Sequence, residues 1–140
     1  MLSCLENNSR QENNLSMNLN NQFEEWVKNI NSNEKIENNI KAFNFGLFET
    51  ENGYTMYLIG AKEYKENDDD WATVVDFEPT DKYFEMDKSI IKDKDWKEVL
   101  KLSTDLVSDY VKSKGFENSF LKNAEVITVG FDDGDLIRIK

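Results

Sequence analysis

The sequence predicts an α+β domain in which an antiparallel β-sheet of about six strands carries helices packed on one face. Three observations lead to this prediction. They are a helical apolar stripe that starts at Phe23, alternating apolar residues on both sides of Asn52-Gly53, and a long amphipathic segment that starts at Asp95. Runs of strands between two helices favour an α+β arrangement over alternating β-α units.

The first helix is predicted over about residues 19–31. Its apolar residues Phe23, Trp26, Val27 and Ile30 recur at the i, i+3, i+4, i+7 spacing. This spacing places all four side chains on one face of a helix. We therefore expect that face to pack against the sheet.

Residues 1–17 precede this helix and have a different composition. They are polar, rich in asparagine and without periodicity, so we expect a flexible N-terminal tail ahead of a single α+β domain over residues 18–140. Met17 opens the patterned segment, and a native start at that residue stays open as an alternative. Cys4 is the only cysteine, which leaves no internal disulfide, and we interpret it as incidental.

Three hairpins are predicted, over residues 42–62, 71–86 and 124–139. In the first, apolar residues alternate before and after Asn52-Gly53, a pair that accepts the positive φ angles of a type I′ turn. In the third, Asp133-Gly134 gives the same turn signal. The middle hairpin is predicted from the alternating run that begins at Trp71.

The second helix is predicted over about residues 95–113. Asp95 is the expected N-cap, with Glu98 three residues on, which is a carboxylate version of the capping box. Gly115 is the expected residue just past its C-terminus. The predicted core residues are Trp26, Phe43, Phe45, Leu58, Val75, Trp96, Leu100, Val107, Ile127 and Val129.

The composition excludes several function classes. The 140-residue chain carries a net charge of −11 and no histidine. Without histidine, Ser-His-Asp and Cys-His catalysis and the usual zinc sites are ruled out, so we expect no enzyme, no catalytic residue, no cofactor and no metal. Two arginines and scattered lysines disfavour binding to nucleic acid or to an anionic membrane. A cytoplasmic monomer is the default expectation.

Residues 63–87 form an acidic segment, with ten acidic residues against two lysines. One interpretation is a docking face for a basic protein, because complementary charge speeds encounter and sets orientation. The other is a solvated loop and edge strand that uses charge against aggregation. On composition alone, the solvated edge is the stronger interpretation.

Two smaller features bear on these interpretations. Successive side chains in a strand point to opposite faces, so the run Asp68, Asp69 and Asp70 is a poor metal site. Trp71, which follows it, is either an exposed anchor or a core residue. The turn residues 132–135 do not have the spacing of a calcium loop, but they would extend an acidic docking surface if they lay near residues 63–87.

A resemblance to a known family points to one function. The stretches "GLFETENGYTMYLIGAKEY", "DDDWA" and "FEP", then an amphipathic helix and "VGFDDGDL", resemble small bacterial immunity proteins that neutralise polymorphic toxins, including those of contact-dependent growth inhibition. The similar region covers about residues 40–136. The resemblance implies a cytosolic, non-catalytic protein that binds one cognate toxin C-terminal domain, commonly a nuclease.

The charge pattern agrees with this resemblance, because a nuclease presents a basic cleft to phosphates. We therefore predict an acidic toxin-binding interface, chosen on charge together with Trp71. Two alternatives stay open: an acidic mimic of nucleic acid that inhibits a DNA-binding enzyme, and a hydrolase that uses carboxylates and Mg²⁺. The predicted interface residues are Asp68, Asp69, Asp70, Trp71, Asp76, Glu78, Asp81 and Glu85, followed by Asp132, Asp133 and Asp135.

Overall fold

The computed structural model describes residues 4–51 and 53–140, and it gives side chains for residues 19–51 and 53–140. No helix in this part of the chain is both long and apolar enough to cross a bilayer. The elements in chain order are α1 (Cys4–Asn33), β1 (Ala42–Thr50), β2 (Gly53–Ala61), a first 3₁₀ helix (Asp69–Thr73), β3 (Tyr83–Glu85), α2 (Lys88–Ile91), α3 (Trp96–Val111), α4 (Lys114–Glu117), a second 3₁₀ helix (Phe120–Asn123), β4 (Val126–Phe131) and β5 (Ile137–Arg138).

The first predicted helix exists but starts earlier than expected. Its backbone is helical from Cys4 and ends at Asn33, whereas the apolar pattern marks only its second half. Phe23, Val27 and Ile30 are buried in the core, so the predicted stripe is confirmed. The side chains of residues 4–18, Cys4 included, lie outside the described residues.

The sheet is mixed rather than fully antiparallel, and it has five strands in the order β3-β2-β1-β4-β5. The hairpins β1–β2 and β4–β5 are antiparallel as predicted. The prediction was wrong for β1 and β4, which pair in parallel with Phe45 opposite Val129. The segment that connects β3 to β4 includes α3, which is long enough to carry the chain back across the sheet. The chain can therefore enter β4 in the same direction as β1.

The predicted glycine of the first hairpin is needed, but at a different place in the turn. Thr50 pairs with Gly53, so the connection consists of residues 51 and 52, and Asn52 itself lies outside the described residues. Gly53 has a φ of 140°, a backbone conformation that disfavours any residue with a Cβ. A Cβ there would also lie 2.6 Å from Cδ1 of Ile91.

The middle hairpin predicted over residues 71–86 does not form. Residues 69–73 are a 3₁₀ helix instead, capped by the Asp68 carboxylate, which accepts a hydrogen bond from the Asp70 N–H at 3.0 Å. Phe77 forms an isolated bridge to the sheet, opposite Gly60. β3 forms close to its predicted place, but it pairs with β2.

The second predicted helix is confirmed as α3. The carboxylate of Asp95 accepts a hydrogen bond from the N–H of Glu98 at 2.9 Å, as predicted for the N-cap residue. The C-terminal prediction was wrong, because α3 ends at Val111 and Gly115 lies inside α4. The Ser113 hydroxyl caps the N-terminus of α4 by accepting a hydrogen bond from the Phe116 N–H.

The helices α1 and α3 pack on the same face of the sheet, as predicted. Phe23 of α1 lies with its ring centroid 5.5 Å from that of Phe45 in the sheet and 5.4 Å from that of Tyr110 in α3. Most predicted core residues are buried. Two were wrong: Trp96 is 53% exposed and Val75 is 45% exposed.

Candidate functional site

The sheet face opposite α1 and α3 carries a cavity of about 540 Å³, here called the acidic cleft. Its floor comes from β1 and β2, one wall from the first 3₁₀ helix and the residues after it, and the other from the β4–β5 turn. The lining residues are Asn44, Phe48, Tyr57, Ile59, Asp69, Ala72, Thr73, Val75, Lys82, Tyr83, Phe131, Asp132, Gly134 and Leu136.

Two glycines give the floor its shape. Gly46 lies opposite Tyr57 on one side and opposite Gly130 on the other. The ring of Tyr57 lies across Gly46, where any Cβ would overlap it. At Gly130, a Cβ would lie 2.7 Å from the Asp135 carbonyl oxygen. The β4–β5 turn can fold over this position because glycine has no side chain.

A hydrogen bond joins the two acidic segments of the sequence. The carboxylate of Asp69 accepts from the backbone N–H of Leu136 at 3.2 Å. Trp71 anchors the same 3₁₀ helix, since its indole is buried against Ala42, Ala61 and Val126. The turn with the late aspartates therefore lies beside the early acidic segment, an arrangement that the sequence left undecided.

The Tyr57 hydroxyl donates a hydrogen bond to the carboxylate of Asp132. Burial of the phenol raises the pKa of Tyr57 above its ordinary value, and the hydrogen bond and negative charge of Asp132 raise this pKa further. Tyr57 is therefore a neutral hydrogen-bond donor at physiological pH, and it holds the Asp132 carboxylate over the cleft.

Among the described residues that line the cleft, Lys82 is the one cation. Its ammonium lies 5.4 Å from the ring centroid of Tyr57 and 5.5 Å from that of Tyr83. It also pairs with the Glu78 carboxylate at 3.1 Å. An ammonium group is thus accommodated between aromatic rings at this edge of the cleft.

At the floor of the cleft, Asn44 forms a buried polar pair with Thr128. The Thr128 hydroxyl donates to the Asn44 side-chain carbonyl at 2.9 Å, and both residues are buried. Because the two strands that carry them are neighbours in parallel register, this hydrogen bond also links β1 to β4. It satisfies polar atoms that would otherwise be costly to bury.

The predicted interface residues fall into several groups rather than one. Asp69 and Asp132 line the acidic cleft, and Asp133 and Asp135 lie on the turn beside it. The others are distributed around the cleft or away from it. Asp68, Asp70 and Asp76 line a separate depression, Glu78 pairs with Lys82, and Asp81 and Glu85 lie beside α1.

Trp71 is 6% exposed, which matches the core interpretation and leaves no exposed indole there. The exposed apolar side chains at the cleft are instead Val75 and Tyr83. Tyr57, Tyr83 and Lys82 were missed by sequence reasoning. The alternation along β2 predicts that Tyr57 and Leu58 point to opposite faces of the sheet. It does not indicate that the face with Tyr57 carries a cavity.

Among the described residues, no group of three or more Asp, Glu, Cys or His side chains is arranged to hold a metal ion. The carboxylates of Asp68 and Asp69 instead accept hydrogen bonds from different backbone N–H groups. Comparison of the chain with models of known protein families, with curated proteins and with solved structures gives no match.

Proposed function

We propose that this chain is an immunity protein that binds a basic bacterial toxin domain, a nuclease in particular, through the acidic cleft and the turn beside it. The observation that carries the proposal is the convergence of two acidic segments on one concave surface. The Asp69–Leu136 hydrogen bond holds the first 3₁₀ helix against the β4–β5 turn. Asp69 and Asp132 then line the same cavity, with Asp133 and Asp135 on the turn beside it.

Charge complementarity selects a basic partner. The chain carries a net charge of −11, and aspartates concentrated around a concavity focus a negative potential there. A nuclease surface that binds phosphates has the opposite sign. Such complementarity raises the association rate, which an inhibitor needs if it is to act before its target does damage.

Exposed apolar groups at the cleft supply the other part of a protein interface. Val75 is 45% exposed and Tyr83 is 53% exposed, and both line the cavity. Protein interfaces combine apolar or aromatic anchors with polar surroundings that orient the partner. The acidic cleft has both components.

The first experiment is rescue of bacterial growth. The C-terminal domain encoded immediately upstream of this chain is induced in cells with and without the chain, and survivors are counted. Rescue with co-purification of the two proteins is the expected result. A domain that is harmless alone, or that kills equally in both strains, would remove the immunity proposal.

The binding surface is tested with two triple variants of equal charge. In the first, Asp132, Asp133 and Asp135 become asparagine, a change that leaves a side-chain oxygen at position 132 to accept from the Tyr57 hydroxyl. In the control, Asp109→Asn, Glu117→Gln and Glu24→Gln neutralise exposed acids of the helical layer.

We expect the first variant to associate with the toxin domain on the order of tenfold more slowly and with a weaker salt dependence. The control should change the rate much less, because its charges lie on the other layer. Equal effects of the two variants would show that the association rate depends on the total charge of the chain and not on the cleft. Inhibition of unrelated DNA-binding enzymes by the wild-type chain would favour a mimic of nucleic acid instead.

A further inference from the structure

A second concavity lies on the other side of the β4–β5 turn. It has a volume of about 690 Å³ and is here called the Trp96 groove. It shares Phe48, Phe131, Asp132 and Gly134 with the acidic cleft, so the two are continuous around the turn. Its other lining residues include Tyr54, Trp96, Leu100 and Ile137.

The floor of the groove is apolar and partly exposed. The Trp96 ring packs edge-on against Phe131 at a centroid distance of 6.3 Å, and Phe131 packs against Tyr54 at 5.8 Å. These contacts hold an indole in place while leaving half of it in solvent. Ile137, from β5, is 39% exposed beside it. A held, solvent-exposed tryptophan next to an exposed isoleucine is the composition of an interface anchor.

Carboxylates surround this floor. Glu49, Asp132, Asp133 and Asp135 all line the groove. Burial raises the pKa of Tyr54 at its edge, and the negative charges of Glu49 and Asp95 raise this pKa further. The Lys97 ammonium lies 5.6 Å from the Trp96 ring centroid, so the indole already accepts one cation.

We infer that the Trp96 groove is a docking site for an apolar side chain carried on a segment rich in lysine or arginine. The apolar side chain would cover Trp96 and Ile137 while its cationic neighbours face the carboxylates. A second copy of this chain is a poor occupant, because it would bring one acidic rim against another. The inference rests on the proposed function only in assigning the segment to the toxin domain.

Trp96 gives a direct readout of occupancy. The other two tryptophans, Trp26 and Trp71, are buried, so acrylamide quenching of tryptophan fluorescence reports mainly on Trp96. The probe is a short capped peptide that alternates leucine and lysine. A peptide of equal length and charge that alternates serine and lysine is the matched control.

We expect the leucine–lysine peptide to protect Trp96 from quenching and to bind about tenfold tighter than the serine–lysine peptide, since burying a leucine side chain contributes roughly that factor. Ile137→Ser should remove most of this difference. Val74→Ser, which changes an exposed valine outside the groove, should leave it intact. Equal binding of the two peptides, or no effect of Ile137→Ser, would overturn the inference.

The toxin domain separates this inference from the proposed function. If the wild-type chain rescues growth and Trp96→Ala weakens binding of the toxin domain about tenfold or more, both stand. If rescue occurs but Trp96→Ala binds as the wild type does, the assignment of the groove to the toxin fails alone. If there is no rescue, the immunity proposal fails, and the peptide comparison still decides whether the groove binds a basic apolar segment.

Discussion

The carboxylate of Asp69 accepts a hydrogen bond from the backbone N–H of Leu136 across 67 positions of sequence. This contact closes one end of the acidic cleft, because Asp69 belongs to the first 3₁₀ helix and Leu136 follows the β4–β5 turn. This hydrogen bond joins two acidic segments that are far apart in the sequence into one surface.

Removal of this contact should loosen the turn. Asp69→Ala is expected to lower the free energy of unfolding by roughly 0.5–1.5 kcal/mol, as for other single hydrogen bonds, and to speed hydrogen exchange at the Leu136 amide. Asp70→Ala is the control, since it removes the neighbouring carboxylate but keeps the bond. Denaturant unfolding and amide exchange measured on both variants provide the check. Matching exchange rates at Leu136 in the two variants would contradict a structural role for Asp69.

The Tyr57 ring depends on the absence of a side chain at Gly46. Gly46→Ala is expected to displace the ring and to destabilise the fold by roughly 1–3 kcal/mol through overpacking, despite the better strand propensity of alanine. Gly134→Ala is the control, because a Cβ there meets only ordinary contacts at 3.8 Å. Thermal unfolding of the two variants tests the prediction, which fails if Gly46→Ala is as stable as the control.

Ser103 and Ser119 should respond oppositely to removal of their hydroxyls. The buried Ser103 hydroxyl has no hydrogen-bond partner among the described residues, so Ser103→Ala is expected to be neutral or stabilising by up to about 1 kcal/mol. The Ser119 hydroxyl donates to the Phe116 carbonyl at 2.8 Å, and Ser119→Ala should destabilise by a similar amount. Denaturation midpoints test this prediction. A clear loss of stability in Ser103→Ala would contradict it and indicate that the Ser103 hydroxyl does form a hydrogen bond.

Stability should decline in alkaline solution partly because of Tyr57. Burial and the hydrogen bond to Asp132 raise the pKa of Tyr57 in the folded state, whereas an unfolded tyrosine ionises near pH ~10. The stabilisation is therefore complete below about pH 10 and is lost progressively as the pH rises toward the folded pKa. Denaturant midpoints between neutral and alkaline pH should fall less for Tyr57→Phe than for the wild type. Parallel curves would show that Tyr57 does not contribute.

Local signals predicted much of the fold. The apolar spacing in α1, the alternation around the first hairpin and the capping carboxylate of Asp95 each reflect contacts within a few residues along the chain. Residues 71–77 show the limit of such signals. Their alternation is typical of a strand, but the Asp68 carboxylate caps a 3₁₀ helix there through a local contact. Trp71 is buried against Ala42, Ala61 and Val126, and that contact comes from the rest of the molecule.

The candidate site was predictable in its charge but not in its shape. The acidic residues could be counted, and the sequence by itself determined an acidic α+β domain with two hairpins and a capped helix. Only the tertiary structure decided that β4 lies parallel to β1, that Asp69 and Asp132 share a cavity, and that Trp96 faces solvent. The physical reason is that periodicity and capping act over single turns and strands, whereas strand order, cavities and exposure depend on which distant segments pack together.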